Sequence, residues 1–163
     1  DRKTALRMIP YGIYVMTAVG EDKSLAGATV NWVTQTSFSP PLLALGVKTD
    51  SGVYAAARAS GNFVLNILGK GQQGPAFAFF KPAVLEDGKL SGEEVAWASN
   101  GAPILKSAPA AVECRVVQVV EHGDHHTFVA EVTAVHIHNR PEGRPDEAVL
   151  EMKDLGEKVF YGG

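Results

Sequence analysis

The sequence predicts a mainly β protein, a barrel with short helical excursions. Three observations carry that prediction. Apolar and β-branched runs of strand length recur along the chain, separated by clusters of Gly, Pro, Asn and Ser. Only two segments, 52–59 and 72–80, carry helical signals, and both are short. Residues 112–121 and 127–138 read as two long strands joined at 122–126, which makes a hairpin.

Each element follows from its residues. Residues 11–19 are an apolar strand, and Gly20-Glu21-Asp22-Lys23-Ser24 is the turn into its partner at 25–32. A polar third stretch runs to Phe38, where Pro40-Pro41 breaks the pattern. Residues 42–47 and 63–68 are continuous apolar runs of the buried-strand type. Between them, Ser51 is placed to cap a helix that begins at Gly52 and ends before Gly61. The second helix carries Pro75 in its first turn. Residues 81–108 read as a long loop with Trp97 embedded, and the aromatic pair Phe160-Tyr161 is expected to pack on the body.

The bulk properties narrow the function classes. A chain of 163 residues fits one domain spanning 1–163 with a proper core. Its net charge is −3 with scattered Lys and Arg, so no basic field argues for nucleic acid. Cys114 is the only cysteine, which excludes an internal disulfide and a multi-thiolate metal site. No apolar run reaches the ~20 residues needed for a spanning helix, and no secretory leader is legible. A cytoplasmic protein without a membrane anchor is the expectation.

The chemistry concentrates in Ala28-Thr29-Val30-Asn31-Trp32-Val33-Thr34-Gln35-Thr36-Ser37. Small hydroxyl and amide groups in a strand-like segment need hydrogen-bond partners if buried. A half-exposed Thr-rich strand satisfies them with water; a polar planar ligand satisfies them as well. A second candidate is Gly123-Asp124-His125-His126 at the hairpin tip. Lys81, at the end of the second helix, reads either as a solvated lysine or as a phosphate contact. In the second case it would act with the helix start at Ser51-Gly52, where an anion is well received.

Two further patterns carry less. Gly69-Lys70-Gly71-Gln72-Gln73-Gly74 fits a dinucleotide-binding fingerprint, but a loop follows where that motif needs a second parallel strand. A glycine-rich turn is the better reading. His122, His125 and His126 crowd one tip, and His136 and His138 share a strand face, yet no carboxylate set or thiolate completes a metal site. A histidine-based metal enzyme stays open as a third class, with no metal assigned.

These pieces, in this order, resemble the flavin reductase family. The matching residues are Ala28-Thr29-Val30-Asn31 with Ser37 and Pro40-Pro41, then Ser60-Gly61-Asn62-Phe63 with Asn66-Ile67-Leu68. They continue through Gln72, Phe79, Gly101-Ala102-Pro103-Ile104-Leu105, Val112-Glu113-Cys114-Arg115-Val116, Gly123-Asp124-His125, Phe128 and Glu131-Val132. The resemblance implies the FMN-binding split β-barrel, a Greek-key fold with short flanking helices. It also implies FMN as cofactor, with FAD the alternative, and NAD(P)H as substrate. Thr29, Val30, Asn31, Trp32, Thr34 and Ser37 would face the isoalloxazine. Ser51, Gly52 and Lys81 would lie toward the phosphate, and His125 would act on the nicotinamide side. The family commonly forms homodimers, and the acceptor of electrons stays open among a monooxygenase, ferric iron and a redox protein. The competing reading is a flavin electron-transfer module that a redox partner serves without NAD(P)H. Two departures stand out: the family often carries further Ser or Thr where this chain has Trp32, Gln35 and Thr36, and Ala130 replaces a glycine.

Overall fold

The computed structural model describes all 163 residues. In chain order the elements are α1 (Arg2–Arg7), β1 (Tyr14–Val19), β2 (Leu25–Val30), β3 (Val33–Ser37), β4 (Leu42–Lys48), α2 (Gly52–Ser60), β5 (Asn62–Ile67) and α3 (Gln73–Ala78). They are followed by β6 (Leu85–Glu86), β7 (Lys89–Leu90), β8 (Val95–Trp97), β9 (Pro103–Leu105), β10 (Ala110–Val120) and β11 (His125–Ile137). Two short 3₁₀ turns, Pro145–Glu147 and Met152–Leu155, close the chain.

Seven strands form one antiparallel sheet in the order β2-β1-β5-β10-β11-β4-β3. The two edge strands, β2 and β3, are joined by only Asn31 and Trp32. Laid flat, edges of a seven-stranded sheet would stand about 29 Å apart at ~4.8 Å per strand. The short link spans about 11 Å at most. The sheet therefore curls until its edges nearly meet, and Asn31-Trp32 forms the corner where they do. Register shifts after Glu113 and after Val116 in the β10–β11 ladder add bends of the β-bulge kind to the longest hairpin.

The curl has two filled sides. Inside, Met16, Leu45, Val47, Phe63, Cys114 and Phe128 pack against Val53, Ala56 and Ala57 of α2. On the other side, Ile13, Val15, Leu68 and Leu105 pack with Phe79, Leu90 and Leu150. Because β1 is covered on both faces, its sequence is apolar apart from Thr17 rather than alternating. Ser51 caps α2 by accepting from the Tyr54 N–H at 3.2 Å, and Gly61 ends the helix at φ +74°.

The segment 81–108, expected as loop, contains two small hairpins, β6–β7 and β8–β9. Its strands are two or three residues long, too short for a periodicity to register. Three buried polar groups of the main sheet hold it. Asn66 donates to the Val15 carbonyl at 3.0 Å and accepts from the Leu105 N–H at 2.9 Å, while Thr17 donates to the Pro103 carbonyl at 2.6 Å. Glu113 accepts from Ser99 Oγ at 2.6 Å, from the Asn100 N–H at 3.2 Å and from His136 Nε2 at 2.6 Å. Burial pushes that carboxyl up, but the hydrogen bonds from Ser99, His136 and Asn100 outweigh it and hold it below the usual range.

The helix α1 is an addition to the sequence reading. The glycine motif at 69–74 lies between β5 and α3, and β5 pairs only antiparallel, with β1 and β10. That excludes a βαβ dinucleotide unit. Its Gly71, at φ +89°, serves a turn that the Gln72 side chain closes by accepting from the Gly69 N–H at 2.8 Å.

Candidate functional site at the sheet corner

The corner where the sheet edges meet carries a small cavity of about 40 Å³. Ala28, Thr29, Val30 and Asn31 line it from β2 and the corner link, and Gly46, Val47 and Lys48 from the end of β4. Ser51 and Val53 come from the start of α2, His125 from the start of β11, and Tyr161 from far along the chain. The register explains the meeting of β4 and β11, since Lys48 pairs with His125. Thr49 then pins the hairpin tip, its N–H and its Oγ both donating to the Asp124 carbonyl at 3.1 and 3.2 Å.

His125 is the centre of the polar geometry. Its side chain is only 14% exposed, so it is held rather than waving at a loop tip. Its Nδ1 lies 2.9 Å from Asp124 Oδ1 and its Nε2 lies 2.5 Å from the Tyr161 hydroxyl. An ionised carboxylate only accepts, so in the neutral imidazole Nδ1–H donates to Asp124 and Nε2 accepts from Tyr161. The His125 hydrogen bond holds the Asp124 carboxyl below its usual range. Burial, with the nearby Asp124 and Asp50 charges, pushes the Tyr161 phenol up, so it stays a donor. A parallel relay lies on the neighbouring residue. Arg58 bridges Glu121 and the Tyr54 hydroxyl, which in turn donates to His126 Nδ1 at 2.6 Å.

Trp32 sits against both His125 and Tyr161, with ring centroids 4.6 and 5.4 Å away. Gly46 makes room for it, because a Cβ there would come within 3.1 Å of the indole. The buried Trp32 Nε1 has no hydrogen-bond partner. A buried unpaired donor costs roughly 1–3 kcal/mol, and such groups are rare enough to mark a site. Asn31, also buried, donates through Nδ2 to the Tyr161 carbonyl at 2.9 Å.

The residues singled out in the sequence separate into two groups. Thr29, Val30, Asn31, Ser51 and His125 line the cavity, Trp32 flanks it, and Gly52 follows Ser51 at the exposed start of α2. The Thr29 hydroxyl points away to α3, donating to the Ala76 carbonyl at 2.7 Å. Thr34 and Ser37 lie farther along the edge strand β3, which leads away from the corner, and Lys81 is exposed beyond α3. These three lie outside the cavity lining. Tyr161 is the residue that sequence reasoning placed only as packed on the body. Its contacts reach Asn31, 130 positions away, and no local pattern encodes them. No three His, Cys, Asp or Glu side chains converge as metal ligands.

Residues 6–153 match the family model described as flavin reductase like domain. The chain belongs to that family. It is 34% identical over 132 residues to the stachydrine N-demethylase reductase subunit of Rhizobium meliloti, covering 81% of this chain and 56% of that protein. Among solved structures, the styrene monooxygenase flavin reductase of Pseudomonas putida superposes with a TM-score of 0.72 at 28% identity. That match covers 85% of this chain and 87% of the other. The NADH:FAD oxidoreductase of Streptomyces globisporus, solved with NAD and FAD fragments, gives a TM-score of 0.68 at 28% identity over 79% of this chain and 76% of the other. The split-barrel class expected from the sequence is therefore the fold. The chain spans about half the length of the Rhizobium relative and 23% of the diflavin flavoproteins it also matches.

Proposed function

We propose that residues 1–163 act as one flavin-binding unit that holds FMN at the sheet corner and reduces it with NAD(P)H. The observation that carries this reading is the unpaired buried indole N–H of Trp32, beside Asn31 and His125, in a chain of this family. A planar heterocycle with carbonyl and ring-nitrogen acceptors matches that donor set. When bound, flavin supplies the two-electron chemistry, and the protein contributes position and electrostatics.

Each residue then has a task. The Asn31 amide and the Trp32 N–H offer donors to the polar edge of the ring, a placement that stabilises negative charge as it develops there. The capped start of α2 at Ser51-Gly52, with Lys48 on the same wall, receives the phosphate. His125, oriented by Asp124, meets the pyridine nucleotide. Thr34, Ser37 and Lys81 enter this reading only through the resemblance, and they lie outside the lining. The names of the relatives support a monooxygenase component as the electron acceptor. The reading includes a homodimer, supported by Phe77 and Phe80, each 44% exposed beside one another at 5.7 Å. No helix is long and apolar enough to cross a membrane.

Titrating FMN into the purified chain tests the core of this. Quenching of flavin fluorescence at micromolar protein, and NADH or NADPH oxidation stimulated by added FMN, are expected. Unchanged flavin fluorescence would overturn flavin binding. Binding without oxidation of either nucleotide would move the chain to the electron-transfer reading. Light scattering that gives the mass of one chain in the presence of FMN would remove the dimer.

A further inference from the structure

Two cavities share one wall. The corner cavity of about 40 Å³ is far too small for a three-ring flavin, while a cavity of about 480 Å³ lies on the other side, lined by Arg7, Tyr11, Lys153 and Phe160 among others. Tyr161 lines both. It is the partition, and every polar group at the floor of the corner that has a removable partner is engaged by it. Its carbonyl accepts from the Asn31 amide, its hydroxyl donates to His125 Nε2, and its ring packs on Trp32. One residue thus offers what a planar, hydrogen-bonding ring would offer at the same place.

Resting on the flavin reading above, we propose that Tyr161 is a displaceable stand-in for the flavin ring. It closes the corner in the conformation described and must swing out for the ring to enter. The segment is built to leave. Tyr161 is 39% exposed, and residues 157–163 belong to no strand or helix. Gly156, at φ +138°, and the adjoining Gly162 bracket the moving residues. Arg7 holds the segment by a different face, donating Nε to the Gly162 carbonyl at 3.0 Å and stacking its guanidinium 4.2 Å from the Phe160 ring. Those contacts can persist as a leash while Tyr161 departs into the larger cavity. The consequence is an apparent flavin affinity scaled down to the fraction of molecules in which the corner is open.

The test compares FMN affinity of the wild-type chain, Tyr161→Ala and Tyr161→Phe by flavin fluorescence, with thermal melts confirming that each is folded. Tyr161→Ala should bind FMN about tenfold or more tightly than wild type, and Tyr161→Phe should lie between, having lost only the His125 bond. In the wild-type chain, FMN should speed chymotrypsin cleavage after Tyr161. Equal affinities would overturn the gate while leaving flavin binding intact. Weaker binding by Tyr161→Ala, or protection of the segment by FMN, would also overturn it, making Tyr161 a cover over the bound ring. If neither wild type nor Tyr161→Ala bound FMN, the flavin reading itself would fail and the gate with it.

Discussion

Two polar regions of this molecule look alike in composition and differ in how they are completed. At the first, Thr17, Asn66 and Glu113 are buried in the sheet, and their partners are the backbone of β9 and the turn at Ser99-Asn100. At the second, Asn31, Trp32 and His125 gather at the corner; Asp124 holds the outer nitrogen of His125, and the groups that face the corner have one half-exposed partner, Tyr161, or none. Both regions use small amides, hydroxyls and an imidazole paired with a carboxylate. The first is closed by the chain itself and cannot be opened without undocking an excursion of the fold. The second is closed by a side chain that can move. A satisfied buried network stiffens a fold, whereas an incompletely satisfied one reserves its hydrogen bonds for something else.

That contrast can be broken most forcefully at Asn66. Asn66→Ala removes two donated bonds and leaves the Leu105 N–H without its acceptor in a buried place. A loss of about 3–4 kcal/mol in urea unfolding is expected, since an unsatisfied buried group adds its desolvation penalty to the lost bonds. A loss under about 1 kcal/mol would show that the excursion is not fastened there. Flavin affinity at native conditions should be almost unchanged.

The reverse pattern is expected at His125. His125→Ala should raise KM for NAD(P)H by an amount worth roughly 1.5–3 kcal/mol, the value of a charge-assisted hydrogen bond, with little change in unfolding free energy. FMN affinity should hold or tighten, because the same substitution frees the Tyr161 hydroxyl. A variant with unaltered nucleotide kinetics would make His125 a hairpin anchor only, and one that lost FMN first would place it in the flavin site.

A smaller effect with a defined pH signature is expected at Glu113. Its carboxyl lies below the ordinary value of 4.5, so its contribution is present above that value and is lost as pH falls through the folded one. Glu113→Gln should cost about 1–2 kcal/mol at pH 7 and flatten the loss of stability between neutral and acid pH. An unchanged acid slope would mean that His136 and Ser99 do not bind the ionised form preferentially.

Much of this was legible in the residues. The buried strands announced themselves as apolar runs, because β1, β4 and β5 are covered on both faces or by α2. The capped start of α2 was legible in Ser51 and Gly61, and the corner in a stretch with too many small polar groups for a plain strand. The small hairpins of 81–108 were not legible, since two-residue strands carry no period and are fixed by Asn66 and Glu113 from other parts of the sequence. Tyr161 was missed for the same reason, because only the curl of the sheet brings residues 31, 125 and 161 together. Thr34 and Ser37 entered through the resemblance, and the structure places them on the edge strand β3, outside the lining of the corner cavity.

Cys114 offers the quietest comparison, an expected absence of effect. It is fully buried on β10, paired in the ladder with Phe63 and Val132 and packed in the core under α2. Burial, with the neighbouring Glu113 charge adding, pushes its thiol from 9.0 up to about 12. At pH 8 only about one molecule in ten thousand would hold a thiolate there, and the thiolate is the reactive form. A raised thiol pKa stabilises the fold fully below the unfolded value of 9.0, and that contribution is lost as pH rises toward about 12. An aromatic disulfide reagent should therefore leave the native chain unmodified for minutes at pH 8 and titrate one thiol at once in urea. Any slow native reaction should follow global unfolding, so FMN at a hundred times its Kd should slow it about a hundredfold. Fast labelling of the native chain would show that the core beneath α2 opens locally. Slow labelling that FMN leaves unchanged would show that the two regions unfold separately.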